Sequence, residues 1–174
     1  TISGEIFTFT VNPVNDPLVL ETIDTIDVVE GQSVLIPASE LEITDPDNTP
    51  DEITYTVDTL TAGNVLLNGA PTGSFTQADL NANLVSFQHD GSENNASFDF
   101  TAEDLDGSQV SNTFSLNRDP RNDGPSLTVS GPVTVDEGSS IILGTSDFTA
   151  TDSDDNPAGI TYTITDISEG TIEI

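Results

Sequence analysis

Val14-Asn15-Asp16-Pro17 and its second copy, Arg121-Asn122-Asp123-Gly124, set the register in which the chain repeats. Adding 107 to a position carries Glu30-Gly31 onto Glu137-Gly138, Asp45-Pro46-Asp47 onto Asp152-Ser153-Asp154, and Thr54-Tyr55-Thr56 onto Thr161-Tyr162-Thr163, with no insertion. The same offset takes Phe7 to Phe114, Pro13 to Pro120 and Gly63 to Gly170. Self-similarity at a fixed period is the mark of a tandem array.

An immunoglobulin-like β-sandwich takes about 100 residues, so one period is one domain. The 174 residues then divide into the last strand of a preceding repeat (1–11), a complete repeat (12–118) and the first half of the next (119–174). The second copy stops at the equivalent of Leu67 and is expected not to close a core alone.

Between the linkers the patterns read as strands. Ile6 to Val11 alternates and runs into Pro13 as a final strand; Val19 to Val29 is a first strand broken around Asp24; Ser33 to Ile36 is a second. Pro37 to Pro50 is read as an acidic loop with at most a helical turn at Ser39-Glu40-Leu41. Ile53-Thr54-Tyr55-Thr56-Val57 is β-branched and aromatic in period two. Asn64–Leu67, Leu84–Phe87, Ala96–Glu103 and Gln109–Leu116 complete seven strands. Asn68 to Asn83 is a long connection with a one-turn helix at Thr76–Leu80, and His89 to Asn95 is a polar turn. The fold class is all-β, tandem Greek-key sandwiches.

Two arginines, Arg118 and Arg121, stand against 31 acids, for a formal net charge of −29. Nucleic acid, whose phosphates need clustered Lys and Arg, is disfavoured as a partner, an anionic membrane surface would repel the chain for the same reason, and cations are favoured. With no Cys and no Lys, neither a disulfide nor a lysine crosslink stiffens the chain. No signal peptide, membrane span or lipidation motif occurs.

Strand counting sorts the acids to two ends. Loops after strands 2 and 6 bring Asp45, Asp47, Asp104 and Asp106 beside the incoming linker residue Asp16. At the opposite end are Glu30, Asp90 and Glu93, facing the outgoing Asn122-Asp123 and the next repeat's Asp152 and Asp154. Carboxylates so gathered repel one another, and Ca²⁺, which takes 6–8 oxygen ligands, resolves this. The expected metal residues are therefore Asp16, Asp45, Asp47 and Asp104 at one joint and Glu30, Asp90, Glu93, Asp123, Asp152 and Asp154 at the next, with Glu137 awaiting a further repeat.

Catalytic readings fare worse. Asp152-Ser153-Asp154-Asp155-Asn156 opens like an EF-hand loop, but Pro157 sits at the required Gly and Thr163 at the required Glu. His89 is the sole histidine and no Gly-x-Ser-x-Gly elbow accompanies it. Paired carboxylates could cleave glycosides, yet an active site is normally unique and these pairs recur. Two Tyr and no Trp make a poor aromatic platform for sugars; Tyr55 and Tyr162 read as core or sheet-face residues.

Gly73-Ser74-Phe75-Thr76-Gln77-Ala78-Asp79-Leu80, Val85-Ser86-Phe87-Gln88-His89-Asp90-Gly91-Ser92-Glu93 and Phe98-Asp99-Phe100-Thr101-Ala102 together resemble the chondroitin-sulfate-proteoglycan type of cadherin-like repeat, found in tandem in large bacterial adhesins and animal matrix proteins. The resemblance implies a calcium-stiffened extracellular or cell-surface rod that works in adhesion, with neighbouring repeats as partners. Gly124 departs from the pattern, standing where the first linker has Pro17. Three functions follow: a non-catalytic spacer, a module that contacts surface polysaccharide or other copies, and a fibre subunit in which Ile6–Val11 and Thr171–Ile174 pair with neighbouring chains by strand addition.

Overall fold

A computed structural model describes residues 4, 6–167 and 169–173, with only the backbone of Pro157. The chain forms two compact units, meeting in sequence at Pro120 and Arg121.

Unit 1 is a β-sandwich. Its strands are β1 (Val19–Ile23), β2 (Ile26–Val29), β3 (Ser33–Leu35), β4 (Leu41–Thr44), β5 (Thr54–Thr61), β6 (Gly63–Leu67), β7 (Ala70–Pro71), β8 (Ser74–Thr76), β9 (Val85–His89), β10 (Ala96–Glu103) and β11 (Gln109–Asp119), with one helix, α1 (Gln77–Asn81). One sheet runs β2-β11-β10-β5-β8, the other β3-β9-β6-β7, and β1 pairs with β4.

Period-two patterning explains the core. Ala96, Phe98, Phe100 and Ala102 of β10 point inward while Ser97, Asp99 and Thr101 do not, and Val85, Phe87 and His89 of β9 alternate likewise. Phe98 stacks on Phe114 of the neighbouring strand at 5.3 Å and reaches Phe87 of the opposite sheet at 6.4 Å. Tyr55 packs against Phe75 at 4.8 Å. Burying a phenylalanine contributes roughly 1.5–3 kcal/mol, so this aromatic column is a main hydrophobic tie between the two sheets.

The helix forms because Thr76 caps it. The Thr76 hydroxyl accepts from the Asp79 N–H while the Asp79 carboxylate accepts from the Thr76 N–H, a reciprocal capping box. The turn after β2 needs Gly31 at φ +67°, and Gly138 takes +76° at the equivalent place. Such left-handed backbone is nearly free only for glycine.

Several expectations change. Ser39-Glu40 lies in a turn and Leu41 opens β4, a strand hidden in what reads as acidic loop because only Leu41 and Ile43 of its four residues are apolar and buried. The connection 68–83 holds the short β7 and β8 besides the helix. The break at Asp24 separates strands with different partners: β1 pairs with β4, and β2 runs parallel to β11. Directions therefore do not alternate throughout. His89 belongs to β9 and is buried, not in a polar turn.

Ile6 to Val11 is not a strand. Its Ile6, Phe7, Phe9 and Val11 are 79–89% exposed, since a strand needs a ladder partner and this segment has none among the described residues. Residues 1–3 and 5, also assigned to that strand, lie outside the description, as does Ile174 of the Thr171–Ile174 segment; Thr171–Glu173 is irregular.

Unit 2 contains β12 (Ser126–Val129), β13 (Phe148–Thr151) and a short 3-10 turn (Pro157–Gly159). Ser126 faces Thr151 and Leu127 faces Ala150, the register of Val19–Thr44 and Leu20–Ile43 displaced by one period. Thr161-Tyr162-Thr163 forms no strand. In unit 1 the equivalent β5 is held by β8 and β10, whereas residues 161–163 have no ladder partner among the described residues. Tyr162 is accordingly half exposed, unlike the fully buried Tyr55.

Candidate functional site

The acidic loops reach their positions through hydrogen bonds that the sequence spacing makes local. Asp45 follows β4 directly and accepts on one oxygen, Oδ1, from the N–H groups of Asp47 (2.7 Å) and Asn48 (3.0 Å). This is an Asx turn, which aspartate favours because its short side chain reaches backbone two residues on. The turn presents Asp47, whose Oδ2 accepts from the N–H of the linker residue Asp16 at 2.7 Å. Linker and loop are thus tied across 31 positions.

Asp104 adds a third segment. It is 6% exposed, and its Oδ1 accepts from the N–H groups of Asp106 (2.9 Å) and Ser108 (2.8 Å) while Oδ2 accepts from the Asn15 amide at 3.3 Å. Burial pushes its pKa up, but the bonds from Ser108, Asn15, Asp106 and Gly107 outweigh burial and hold it below the ordinary value. The next linker residue but one, Leu18, donates its N–H to the Ser108 hydroxyl at 3.1 Å. Asp16, Asp45, Asp47 and Asp104 thus lie on the linker and on the loops hydrogen-bonded to it.

Among the described residues, two buried side-chain oxygens have no hydrogen-bond partner: Asp45 Oδ2 and Asn48 Oδ1. They belong to the same turn, and both residues line a cavity of about 140 Å³ with Gln77 and Asn81. An unpaired buried polar atom costs roughly 1–3 kcal/mol, more if charged. A set of carboxylate and amide oxygens with two of them unsatisfied suits a hard divalent cation, above all Ca²⁺ with its adaptable shell.

Unit 2 repeats the arrangement. The Asp123 N–H donates to Asp154 Oδ2, and the Asp154 and Asp155 N–H groups donate to Asp152 Oδ1 at 2.9 and 3.1 Å. Each bond is the unit 1 bond displaced by one period. Ser153 adds a hydroxyl bond to Asp123 Oδ2 at 3.2 Å. Glu137 is exposed on its turn.

At the far end of unit 1, Glu30 and Glu93 come together around a residue the sequence reading does not weigh as part of the site. Arg118 Nη1 lies 2.5 Å from Glu30 Oε2 and 2.8 Å from Glu93 Oε2. Asp90 turns to its own loop, accepting from the Ser92 N–H at 2.9 Å; the Ser92 backbone and hydroxyl lower its pKa. His89 uses both ring nitrogens on backbone, Nδ1 accepting from the Gly91 N–H and Nε2 bonded to the Asn94 carbonyl at 2.9 Å. It braces a loop, as its solitary position suggests. Asn15, Asn48 and Ser108 are further partners missed in the sequence; Asn48, adjacent to Asp47, was the most findable.

A family profile described as Cadherin-like matches residues 17–117. Human chondroitin sulfate proteoglycan 4 is 44% identical over 89 residues, covering 49% of this chain. Extracellular matrix protein 3 of Lytechinus variegatus is 45% identical over 84 residues, 47% of the chain. Human FRAS1-related extracellular matrix protein 1 is 30% identical over 140 residues, 79% of the chain. The chain spans only 3–6% of the length of these relatives. Among the described residues no helix is long and apolar enough to cross a membrane.

Proposed function

The chain belongs to the cadherin-like family, and from that premise we propose that it is part of an extracellular spacer or adhesion array whose joints are stiffened by Ca²⁺. The family and the matrix-protein names of the relatives support the extracellular reading. Calcium rests on a single observation: the Asp16–Asp47–Asp45 network recurs bond for bond as Asp123–Asp154–Asp152, and its first copy contains the unpaired Asp45 Oδ2 and Asn48 Oδ1.

Asp16, Asp45, Asp47 and Asp104 would hold an ion at the linker side of unit 1, and Asp123, Asp152 and Asp154 at that of unit 2. The ion supplies positive charge to oxygens that otherwise repel. Once the linker Asp is a ligand along with the loop acids, the linker loses its freedom to swing. Extracellular calcium modules bind at roughly 10⁻⁴ to 10⁻³ M, and at about 100-fold above the dissociation constant each ion stabilises its site by roughly 2.7 kcal/mol.

The test is thermal melting with calcium and with EDTA, together with small-angle scattering. Calcium is expected to raise the melting temperature and extend the particle, and Asp152→Asn with Asp154→Asn to remove the contribution of the second site. A wild-type chain with the same melting temperature and scattering curve in both conditions refutes the proposal.

A second reading, assembly by strand addition, draws on the exposed Phe7 and Phe9. One period on, their counterparts Phe114 and Leu116... of β11 are buried in the sandwich, so the segment has the pattern of a strand that completes a core. Sedimentation of the full chain separates the readings: a spacer stays monomeric.

A further inference from the structure

The outgoing end of unit 1 carries a cation that belongs to the chain. Arg118 stands on β11, where the parallel register sets it opposite Val28 of β2, and the Asn95 side chain accepts its N–H at 3.0 Å. Glu30 follows β2 directly, donating its own N–H to the Asp119 carbonyl at 3.0 Å. The Arg118 side chain is 17% exposed, that of Glu30 4% and that of Glu93 35%. One guanidinium nitrogen therefore joins a nearly buried carboxylate on the turn after β2 to a partly exposed one on the loop after β9.

This arginine is not part of the repeating plan. Position 11, one period earlier, is valine, and the chain's other arginine, Arg121, likewise stands where the first copy has Val14. Both cationic side chains of a chain with 31 acids thus fall within four residues of the second linker.

We infer that Arg118 is a built-in substitute for a metal ion, tying the turn at Glu30 to the loop at Glu93 so that this end of the repeat closes without calcium. A guanidinium does not lose its proton in proteins and does not dissociate into a chelator. It reduces the charge of the group without the concentration dependence of a bound ion. Removing it breaks an ion pair to a carboxylate only 4% exposed, which is far costlier than losing an exposed pair. The inference goes beyond the calcium reading of the linker loops and stands whether or not those bind.

The full chain with Glu93→Gln or Arg118→Gln, melted in EDTA and in calcium, tests it. Arg118→Gln is expected to lower the melting temperature of unit 1 in EDTA by roughly 10–20 °C. Glu93→Gln is expected to lower it less, and by the same amount in both conditions. If Arg118→Gln leaves the melting temperature in EDTA unchanged, or if Glu93→Gln costs stability only when calcium is present, Glu93 is a metal ligand or a bystander and the inference is overturned. Should Arg118→Gln fail to fold, the two Glu93→Gln values decide alone.

Discussion

The backbone N–H of Asp16 donates to Oδ2 of Asp47 across 2.7 Å, fixing the linker against the loop that follows β4. The bond uses one carboxylate oxygen, while Asp45 Oδ2, two residues away, is buried without a partner. Asp45→Asn keeps an oxygen for the Asp47 and Asn48 N–H groups but removes the charge. In EDTA this variant should be as stable as the wild type or slightly more so. In calcium it should lack the roughly 2.7 kcal/mol that a saturated site supplies. Chemical denaturation under both conditions measures the difference; equal calcium gains in the two proteins would exclude Asp45 as a ligand.

Gln77 is 2% exposed, and its Oε1 accepts from the Ile43 N–H at 3.0 Å and from the Tyr55 hydroxyl. Gln77→Leu strands both donors and should cost about 2–4 kcal/mol. Tyr55→Phe removes one donor and leaves the acceptor satisfied by Ile43, so about 1 kcal/mol is expected. Urea denaturation should rank them in that order. Burial also raises the Tyr55 pKa far above the ordinary phenol value, so the ring should not ionise in the folded protein at moderately alkaline pH.

Gly63 leaves no space for a side chain. A Cβ there would lie 2.2 Å from the Gln88 carbonyl oxygen and 2.4 Å from the Phe87 ring. Gly63→Ala must displace the backbone of β9 and should cost about 3 kcal/mol or more. Gly73→Ala, with nothing within 4 Å, is the control and should be close to neutral. Comparable melting temperatures for the two variants would contradict the packing described here.

Glu52 titrates below the ordinary glutamate value because the Thr49 N–H and the Thr49 hydroxyl both donate to it, at 2.8 and 2.7 Å. A depressed carboxylate pKa stabilises the fold above the unfolded value of about 4.3, and the contribution is lost as pH falls through the lower folded value. Thr49→Ala deletes the hydroxyl but keeps the backbone donor, so the Glu52 pKa should rise only part of the way. Side-chain NMR titration reads this directly; a return to the full unperturbed value would mean that the backbone bond contributes nothing.

Much of the fold was legible because it is local. The alternation in Ala96–Glu103 has two faces whatever surrounds it, and the strand lies where that pattern says. Thr76 and Asp79, three residues apart, cap a helix that the sequence places within one residue. Asp45 and Asp47 make their Asx turn from positions two apart, which is why the 107-residue period in the sequence reappears as a period in hydrogen bonds. Leu41–Thr44 was not legible: four residues with two apolar side chains are too few to distinguish a strand from a loop, and β4 exists because β1 offers it a ladder.

By itself the sequence determined the repeat, the all-β class and the acids that meet at the linker, since each depends on spacing along the chain. Tertiary structure alone decided that β2 would lie parallel to β11 and, through that register, that Arg118 would reach Glu30 from 88 residues away. Pairings over such separations are chosen by the packing of a whole sandwich, in which burying Glu30 requires a cation close by, and no local pattern of residues encodes which one answers.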